Sequence, residues 1–398
     1  MAALPYPVYD ADNHLYEPPE AFLRHLPDIY KQEFQYVEVN GRTKLAIAGQ
    51  LSNYIPNPTW SVVAAPGVHE PYYRAQNPDG LSLREITGKP IVPPDAFFAA
   101  KPRLKLLDEQ GIHATLMIPT LASAIEERLK HKPRVIAALF HALNQWLLDE
   151  WGFNKDNRIY AVPFINLADI DQAVQELEFV LKNGARVVGI RPAPVPGPGG
   201  SRSPGYREFD PFWARVNEAG IFVCLHSSDS GYEIIANLWQ GTDREFLPFE
   251  KADIMPVNLL ERAITDTLTA LICHGVFERH PNVRVASIEN AARWVRSAVE
   301  TWERAYGQHP KNFKRDPVEQ FREHVFVAPS YEDDIGELLT FCPVNRILFG
   351  SDYPHPEGLA NPLDYLKELE GLDDASVRRI MSDNLKGLLT GERDSPRM

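Results

Sequence analysis

Short apolar runs recur along the chain, separated by segments long enough to hold a helix. Most are rich in Val, Ile and Leu and are typical of strands buried on both faces; they lie at 6–9, 114–119, 159–165, 187–190, 221–225, 283–288, 324–328 and 346–350. Several segments between them have helical spacing: residues 123–151, with Pro133 as a candidate break, residues 170–183, where the apolar positions recur every three or four residues, and residues around 256–279. The pattern therefore predicts eight strands, most of them followed by a helix.

Repeated strand–helix units predict a parallel sheet, and eight units over this length favour a closed (β/α)8 TIM barrel over an open doubly wound sheet. No G-x-G-x-x-G motif follows the first strand, so the fingerprint of a dinucleotide-binding fold is absent. We expect residues 1–398 to form a single domain of the α/β class.

Two long segments interrupt this alternation. Residues 15–95 form a proline-rich insertion after the first strand, and residues 227–254 form a long loop after the fifth. Asn40-Gly41 within the insertion predicts a hairpin, because both central residues of a type I′ turn need positive φ. The insertion is either a surface excursion or a lid over a site. The aromatic residues of the insertion and of the 227–254 loop suggest a sizeable, partly apolar substrate, and Trp60 in the first and Trp239 in the second are the residues to test.

Composition excludes some partners. The chain has 398 residues, 44% of them hydrophobic, and a net charge of −13 with acidic and basic residues interspersed. This argues against nucleic acid and anionic membranes and leaves a small molecule as the expected partner. The start of the chain has no basic region followed by an apolar core, and Cys224, Cys273 and Cys342 are too far apart to form a C-x-x-C pair. We therefore expect a cytoplasmic protein with reduced thiols.

Polar residues at the strand ends carry the candidate chemistry. Asp12 and His14 are two positions apart, so in a strand their side chains share one face. His226, Glu289 and Asp352 each follow a later strand. The carboxyl ends of all strands ring one mouth of a barrel, so residues far apart in the chain converge there.

Asp12, His14, His226 and Asp352 form a set of two nitrogen and two oxygen ligands. Such a set suits one divalent metal ion, Zn²⁺ first and Mn²⁺ or Fe²⁺ as alternatives. Asp352 is either a ligand or a general base, and Glu289 is a ligand, a proton shuttle, a partner of a histidine or a plain strand-end residue. We assign catalysis to Asp352, Glu289 and His226.

Four further residues are candidates for substrate binding. Arg191 and Arg293 can hold a substrate carboxylate, because a guanidinium group matches it with two parallel hydrogen bonds. Structural salt bridges are the alternative for both arginines. Tyr353 and His355 follow Asp352 closely and are expected at the mouth of the barrel.

The chain resembles the amidohydrolase-related (amidohydrolase 2) family, which includes aminocarboxymuconate semialdehyde decarboxylase and aromatic acid decarboxylases. The resemblance is carried by Asp10-Ala11-Asp12-Asn13-His14 with Glu17-Pro18-Pro19, by Arg103-Leu104 and 107–111, by 275–281 with 287–290 and Trp294, and by Gly350-Ser351-Asp352-Tyr353-Pro354-His355. It implies one metal ion held by Asp12, His14, His226 and Asp352, and a homodimer, since members of the family are often dimers.

Two positions depart from the family pattern. Many relatives have H-x-H on the first strand, whereas this chain has Asp12-x-His14, which resembles the E-x-H of family decarboxylases. Many relatives also carry a histidine at the end of the sixth strand, where this chain has Glu289. The usual assignment of proton transfer is therefore open, and no strand-end lysine is present to support a binuclear site.

Three functions remain open at this stage. The first is a metal-dependent hydrolase, in which activated water attacks a C–N or C–O bond of an amide, ester or lactone and Asp352 takes the proton. The second is a metal-dependent, non-oxidative decarboxylase of an aromatic or unsaturated acid, in which Asp352 protonates carbon. The third is a non-catalytic binding barrel, which predicts no bound metal.

Overall fold

The computed structural model describes residues 4–244 and 261–391. Part of the expected loop at 227–254, and the expected start of the following helix near residue 256, lie outside these ranges. Within them, no helix has both the length and the apolar character needed to cross a membrane.

Parallel strands form the centre of the fold. The first strand consists of two pieces, Tyr9–Asp10 and His14–Leu15; the following strands are Ala114–Pro119, Ile159–Ala161, Val187–Ile190, Phe222–His226, Arg284–Ile288 and Val325–Val327. Each pairs in parallel with its neighbours in chain order, and a bridge between Phe164 and Gly189 links the third strand to the fourth. The strand interiors are fully buried, which explains their continuous apolar sequences.

The eighth strand closes the ring. Ile347 bridges Val327 of the seventh strand, and the Leu348 N–H donates to the Val327 carbonyl at 2.8 Å. On the other side, the Ala11 N–H of the first strand donates to the Phe349 carbonyl at 2.8 Å. The predicted (β/α)8 barrel is therefore confirmed.

Helices surround the barrel. The principal ones are Ala100–Gln110, Pro133–Glu150, Ile170–Lys182, Asp210–Ala219, Arg262–Cys273, Trp294–Gln308, Pro317–His324, Ile335–Phe341 and Asn384–Thr390; shorter ones are Pro19–Leu23, Glu70–Tyr73, Leu83–Thr87, Glu233–Gln240, Val276–Arg279 and Asp374–Arg378. Within the helical pattern over 123–151, the break falls at Pro133, the candidate position, and the helix begins there, because proline suits the first helical position and disfavours helix in the residue before it. Residues 121–129 instead form two 3₁₀ turns, Leu121–Ala124 and Glu127–Leu129.

The insertion contains the expected hairpin. Phe34–Val39 pairs antiparallel with Arg42–Ile47, and a third short strand, Gln50–Ser52, extends the sheet. Asn40 and Gly41 have φ values of 51° and 72°, as a type I′ turn requires. The insertion is joined to the loop after the eighth strand, since Gly67 N–H donates to the His355 carbonyl and His69 N–H donates to the Pro356 carbonyl.

Asp10 fastens the closure between the first and eighth strands. Its carboxylate is fully buried and accepts hydrogen bonds from the N–H of Asp12, the amide of Asn13, and both the N–H and the hydroxyl of Ser351. Burial raises the pKa of Asp10 to about 6, although these donors favour its charged form. The residues that follow Asp10 and Ser351, which include Asp12 and Asp352, are thereby held side by side.

Candidate metal centre

Five side chains from four barrel strands converge at the mouth. His14 Nε2 lies 3.1 Å from Asp12 Oδ1, 3.3 Å from Glu289 Oε2 and 3.4 Å from Asp352 Oδ1. His226 Nε2 lies 2.9 Å from Glu289 Oε2 and 3.7 Å from Asp12 Oδ1. Two imidazoles and three carboxylates thus share one small volume.

The orientation of these atoms fits a divalent cation. His226 Nε2, Glu289 Oε2 and Asp352 Oδ1 are buried, yet none has a hydrogen-bond partner among the described residues despite the short distances between them. Their lone pairs therefore point towards a shared space rather than along hydrogen bonds. Unpartnered buried polar atoms are costly, and a cation held by His226 and Glu289, with Asp352 beside it, would offset that cost. Nitrogen and carboxylate oxygen donors suit Zn²⁺, Mn²⁺ and Fe²⁺.

The side chains offer two overlapping sets of four potential ligands. Asp12, His14, His226 and Glu289 form one set, and within each set the ligand atoms lie within 4.8 Å of one another. The other set consists of His14, Glu289, Asp352 and His355. Glu289 belongs to both sets, which supports the first of the roles that the sequence left open for it, that of a metal ligand.

The histidines are held by their second nitrogen. His226 Nδ1 donates to the Ser227 carbonyl at 2.7 Å, which leaves the lone pair of Nε2 free for a metal. His14 stacks on His355 with ring centroids 3.9 Å apart. The Thr120 hydroxyl lies 3.4 Å from His14 Nδ1 and 3.0 Å from His355 Nε2. Both rings are therefore fixed before any ligand binds.

Backbone conformation directs two of the carboxylates. Glu289 and Asp352 have φ values of 57° and 54°, in the left-handed region that side-chain-bearing residues seldom adopt. Each residue directly follows a strand-like segment and turns the chain away from the barrel. Such conformations persist where the surrounding structure imposes them, and they cluster at functional sites.

Burial and charge shift the pKa values of the cluster. Burial, together with the Glu289 and Asp12 carboxylates, holds the pKa of Asp352 well above its usual range. Burial alone would lower the pKa of His226, but Glu289 and Asp12 outweigh it and raise that pKa to about 10. Burial likewise opposes ionisation of Glu289, but His226 and His14 lower its pKa. Without a metal, protons on the imidazoles balance the carboxylates, and a divalent cation can replace them.

Buried residues outside the cluster hold its backbone in place. Arg103 is fully buried and donates to the carbonyls of Ala96 and His14 and to the side chain of Asn13. Glu17 accepts hydrogen bonds from the N–H groups of 120, 121 and 122, and so holds the loop after the second strand. Both residues belong to the family motifs named above. Their roles could not be predicted from the sequence, because most of their partners are distant in the chain.

The substrate-binding candidates separate into two groups. Arg293 and His355 line the cavity above the cluster, whereas Arg191 and Tyr353 do not. Arg191 is buried and pairs with Glu127 at 2.6 Å, with Glu126 nearby at 3.4 Å. Of the two roles left open for Arg191, these ion pairs favour the structural salt bridge over binding of a substrate carboxylate.

Tyr353 also lies outside the cavity lining. It is 8% exposed and packs edge-on against Phe97, with the guanidinium group of Arg103 over its ring. Its ring therefore belongs to the packing behind the first strand. Asp352 and Tyr353 are neighbours, and adjacent side chains in extended or turning chain point in different directions.

A cavity of about 900 Å³ lies over the cluster, bounded by the strand ends and by residues 42–90 of the insertion. Trp60 lines this cavity and stacks on Tyr16, with ring centroids 4.4 Å apart. Trp239 does not line it and is 78% exposed. The volume suits a drug-sized or smaller organic molecule.

A closed parallel barrel with a histidine–carboxylate cluster at its mouth matches a known family. The model of the amidohydrolase family (Amidohydro_2) matches residues 93–384, and the chain belongs to this family. The expected resemblance is thereby confirmed. Members of the family depend on a metal ion, which agrees with the cluster described above.

Solved structures give a more detailed comparison. An amidohydrolase from Mycobacterium avium subsp. paratuberculosis K-10 is 42% identical, with a TM-score of 0.91 over 97% of this chain and 100% of that one. A dihydroxybenzoic acid decarboxylase from Polaromonas sp. JS666, with bound manganese and an inhibitor, has a TM-score of 0.59 at 14% identity and covers 98% of both chains.

A 5-carboxyvanillate decarboxylase from Novosphingobium aromaticivorans DSM 12444, also with bound manganese, has a TM-score of 0.56 at 14% identity and covers 97% of both chains. At this identity the two decarboxylases show the fold alone. None of the curated proteins compared with the chain matches it.

Proposed function

We propose that the protein is a metal-dependent hydrolase that cleaves a C–N or C–O bond of a small, partly apolar amide, ester or lactone. The position of Asp352 carries this proposal. Its Oδ1 lies 3.4 Å from His14 Nε2, beside the first set of ligands, and 2.7 Å from His355 Nδ1. A carboxylate placed between a metal position and a second imidazole is suited to act as a general base.

Each group then has a defined task. A divalent ion held by Asp12, His14, His226 and Glu289 would lower the pKa of a water molecule and polarise the substrate carbonyl. Asp352 accepts the proton of the attacking water at Oδ1, and His355 Nδ1 faces that oxygen. Stacking on His14 and contact with Thr120 keep the His355 ring in place.

The charge of the cavity wall supports a substrate without a carboxylate. The arginines among the described lining residues are Arg42, Arg84 and Arg293, and the side chains of all three are exposed. Arg191 is committed to its own ion pairs. Within the described lining, a deep substrate carboxylate would therefore meet several acidic side chains and no buried arginine. This favours a neutral scissile bond over an aromatic acid.

The second candidate is a non-oxidative decarboxylase of an aromatic or unsaturated acid, with Asp352 as the proton donor to carbon. It is favoured by the carboxylate at Asp12 and by the similarity in fold to dihydroxybenzoic acid and 5-carboxyvanillate decarboxylases. In that case Arg293 is the residue placed to meet a second polar group of the substrate at the rim.

Metal content decides between an enzyme and a binding barrel. We expect the purified chain to retain a stoichiometric amount of Zn, Mn or Fe, and an Asp12→Ala/His226→Ala double variant to lose it. The metal-loaded protein would then be assayed with esters, amides, lactones and aromatic acids. Absence of metal from the folded parent after reconstitution would contradict both enzymatic functions and favour the non-catalytic barrel.

Turnover in that assay separates the two enzymatic candidates. Hydrolysis of an ester, amide or lactone without release of CO₂ supports the proposal, and release of CO₂ from an aromatic acid supports the alternative. Zinc as the native metal, a homodimer and a cytoplasmic location stay predictions.

A further inference from the structure

Glu357 lies on the loop after the eighth strand, and hydrogen bonds hold its backbone on both sides. The Tyr331 hydroxyl donates to the Glu357 carbonyl at 2.8 Å. The N–H of Gly358 donates to the His355 carbonyl, and the N–H of Leu359 donates to the Ser351 carbonyl. A Cβ at Gly358 would lie 2.3 Å from the Asp352 carbonyl oxygen, so only glycine permits this close turn. The main chain at Glu357 is therefore held in one position.

At the end of this fixed segment, one oxygen of the Glu357 carboxyl group has no such partner among the described residues. Glu357 lines the cavity, and its Oε2 is buried without a hydrogen bond to any described residue. Burial and the Glu289 carboxylate raise the pKa of Glu357 to about 7. Burying an unpaired carboxyl group costs free energy of folding, and such a group is retained where it serves a ligand.

The walls around Glu357 are aromatic. Tyr54, Trp60, Tyr73 and Tyr331 line the same cavity, and each offers a ring face or edge to an apolar ligand. Ring faces also attract cations, as acidic side chains do. The arginines of the described lining stand at the rim, so the interior favours a ligand group that donates hydrogen bonds over one that accepts them.

We propose that Glu357 is a specificity residue that binds the N–H or O–H donor group, an amine or a hydroxyl, of a substrate whose remainder is aromatic or otherwise apolar. This inference rests on the proposed function, since it names the class of molecule that the same cavity takes. The metal cluster meets the scissile bond, and Glu357 holds a polar group elsewhere on the molecule.

Binding of small probes tests this proposal directly. Benzylamine, benzyl alcohol and benzoate have the same ring and differ in their polar group. Their dissociation constants would be measured by ligand-observed NMR on the zinc-loaded full chain, on Glu357→Gln and on the control Glu303→Gln, whose side chain is exposed on the helix Trp294–Gln308.

We expect one or both donor probes to bind the parent chain more tightly than benzoate. Glu357→Gln should weaken that binding by roughly tenfold or more, because a hydrogen bond to a charged group is lost, and Glu303→Gln should leave it unchanged. Tighter binding of benzylamine than of benzyl alcohol identifies a cation, and equal binding identifies an uncharged donor. No binding of either donor probe, or equal binding by parent and Glu357→Gln, overturns the proposal.

Thermal unfolding gives a second readout. Glu357→Leu removes an unpaired buried carboxyl group, so we expect an unchanged or higher Tm together with lost binding of the donor probes. A lower Tm in Glu357→Leu and in Glu357→Gln, with probe binding retained, would assign Glu357 a structural role and overturn the proposal.

The same probes separate this inference from the proposed function. In the Asp12→Ala/His226→Ala variant, binding of the donor probes should still depend on Glu357. If the parent holds no metal but Glu357-dependent binding persists, the hydrolase proposal fails and the specificity residue stands. If metal binding is normal and Glu357→Gln binds every probe as the parent does, the assignment of Glu357 fails and the hydrolase proposal stands.

Discussion

At the scale of single residues, Glu289 shows how position and conformation together define a role. Its place after the sixth strand is visible in the sequence, but its contact with both His14 and His226 depends on a left-handed φ of 57°. The carboxylate therefore faces inward to the cluster rather than outward to a helix. Of the roles left open for it, the geometry favours that of a metal ligand.

Replacing Glu289 with Gln tests this role. We expect the affinity for Zn²⁺ to fall by roughly tenfold or more, because a charged oxygen donor is lost from the site while the shape of the side chain is kept. Competition with a chromogenic chelator measures the change. The control is Glu332→Gln, which lines the same cavity but belongs to neither set of ligands. Equal losses in both variants would contradict the assignment.

Metal binding should also release protons. The pKa of His226 is raised to about 10, so below that pH its ring is protonated when no metal is bound, and Nε2 must lose its proton to coordinate. Affinity for Zn²⁺ should therefore rise with pH towards about 10, by up to about tenfold per unit for each proton displaced. Calorimetry at neutral pH in buffers of different ionisation enthalpy measures the release. A binding enthalpy that is the same in all buffers would disprove it.

At the scale of elements, the insertion is attached to the barrel mouth by stacked rings. Trp60 stacks on Tyr16, Tyr16 lies nearly parallel to His355 at 6.0 Å, and His355 stacks on His14. The Trp60 indole N–H also donates to the Glu17 carbonyl at 2.9 Å. We propose that the insertion acts as a lid, since this series of rings connects it to a metal-ligand candidate.

Trp60→Ala should loosen this attachment. We expect the free energy of unfolding to fall by about 3 kcal/mol, as for other buried aromatic residues, and proteolysis within residues 42–90 to become faster. Denaturant unfolding and limited proteolysis measure the two effects. Trp239→Ala is the control, because that ring is 78% exposed and lies outside the cavity lining. Identical proteolysis of the two variants would count against the lid.

The helical pattern over 123–151 shows which features of the fold the sequence predicts and which it does not. Its apolar spacing and its proline predicted the helix from Pro133 onward and the break before it, but not that the residues before Pro133 form 3₁₀ turns. Those turns bring Glu126 and Glu127 against Arg191, and the resulting ion pairs favour a structural role for it. Local spacing predicts that a helix exists. It does not predict which distant charge a turn will meet, because that depends on tertiary packing.

At the scale of the whole molecule, barrel closure explains why the candidate ligands could be predicted at all. Eight strand–helix units place every strand end at one mouth, so Asp12, His14, His226, Glu289 and Asp352 converge whatever their separation in the chain. The apolar runs predicted this barrel topology. The unpartnered carboxyl oxygen of Glu357 and the ion pairs of Arg191 could not be predicted, because both depend on which side chains fill the space between elements.

Asp10 is the residue on which closure depends most directly. Asp10→Asn keeps the size of the side chain but turns an amide donor towards groups that are themselves donors, including the amide of Asn13 and the hydroxyl of Ser351. We expect a loss of about 1–3 kcal/mol in the free energy of unfolding, measured by denaturant titration. The exposed Asp79→Asn should change it little. Equal stability of the two variants would show that Asp10 is dispensable for closure.

The seam between the first and eighth strands also sets an order of events during synthesis. Asp10 and Ser351, which clasp the seam, are 341 positions apart. A ribosome adds roughly 5–20 residues per second, so Asp12 and His14 emerge tens of seconds before Asp352 exists. A nascent chain that ends before Glu289 has neither a closed ring nor a full set of ligands. The proposed metal site can therefore be filled only after Glu289 has been synthesised, and a chain truncated before that residue would lack the full set of ligands.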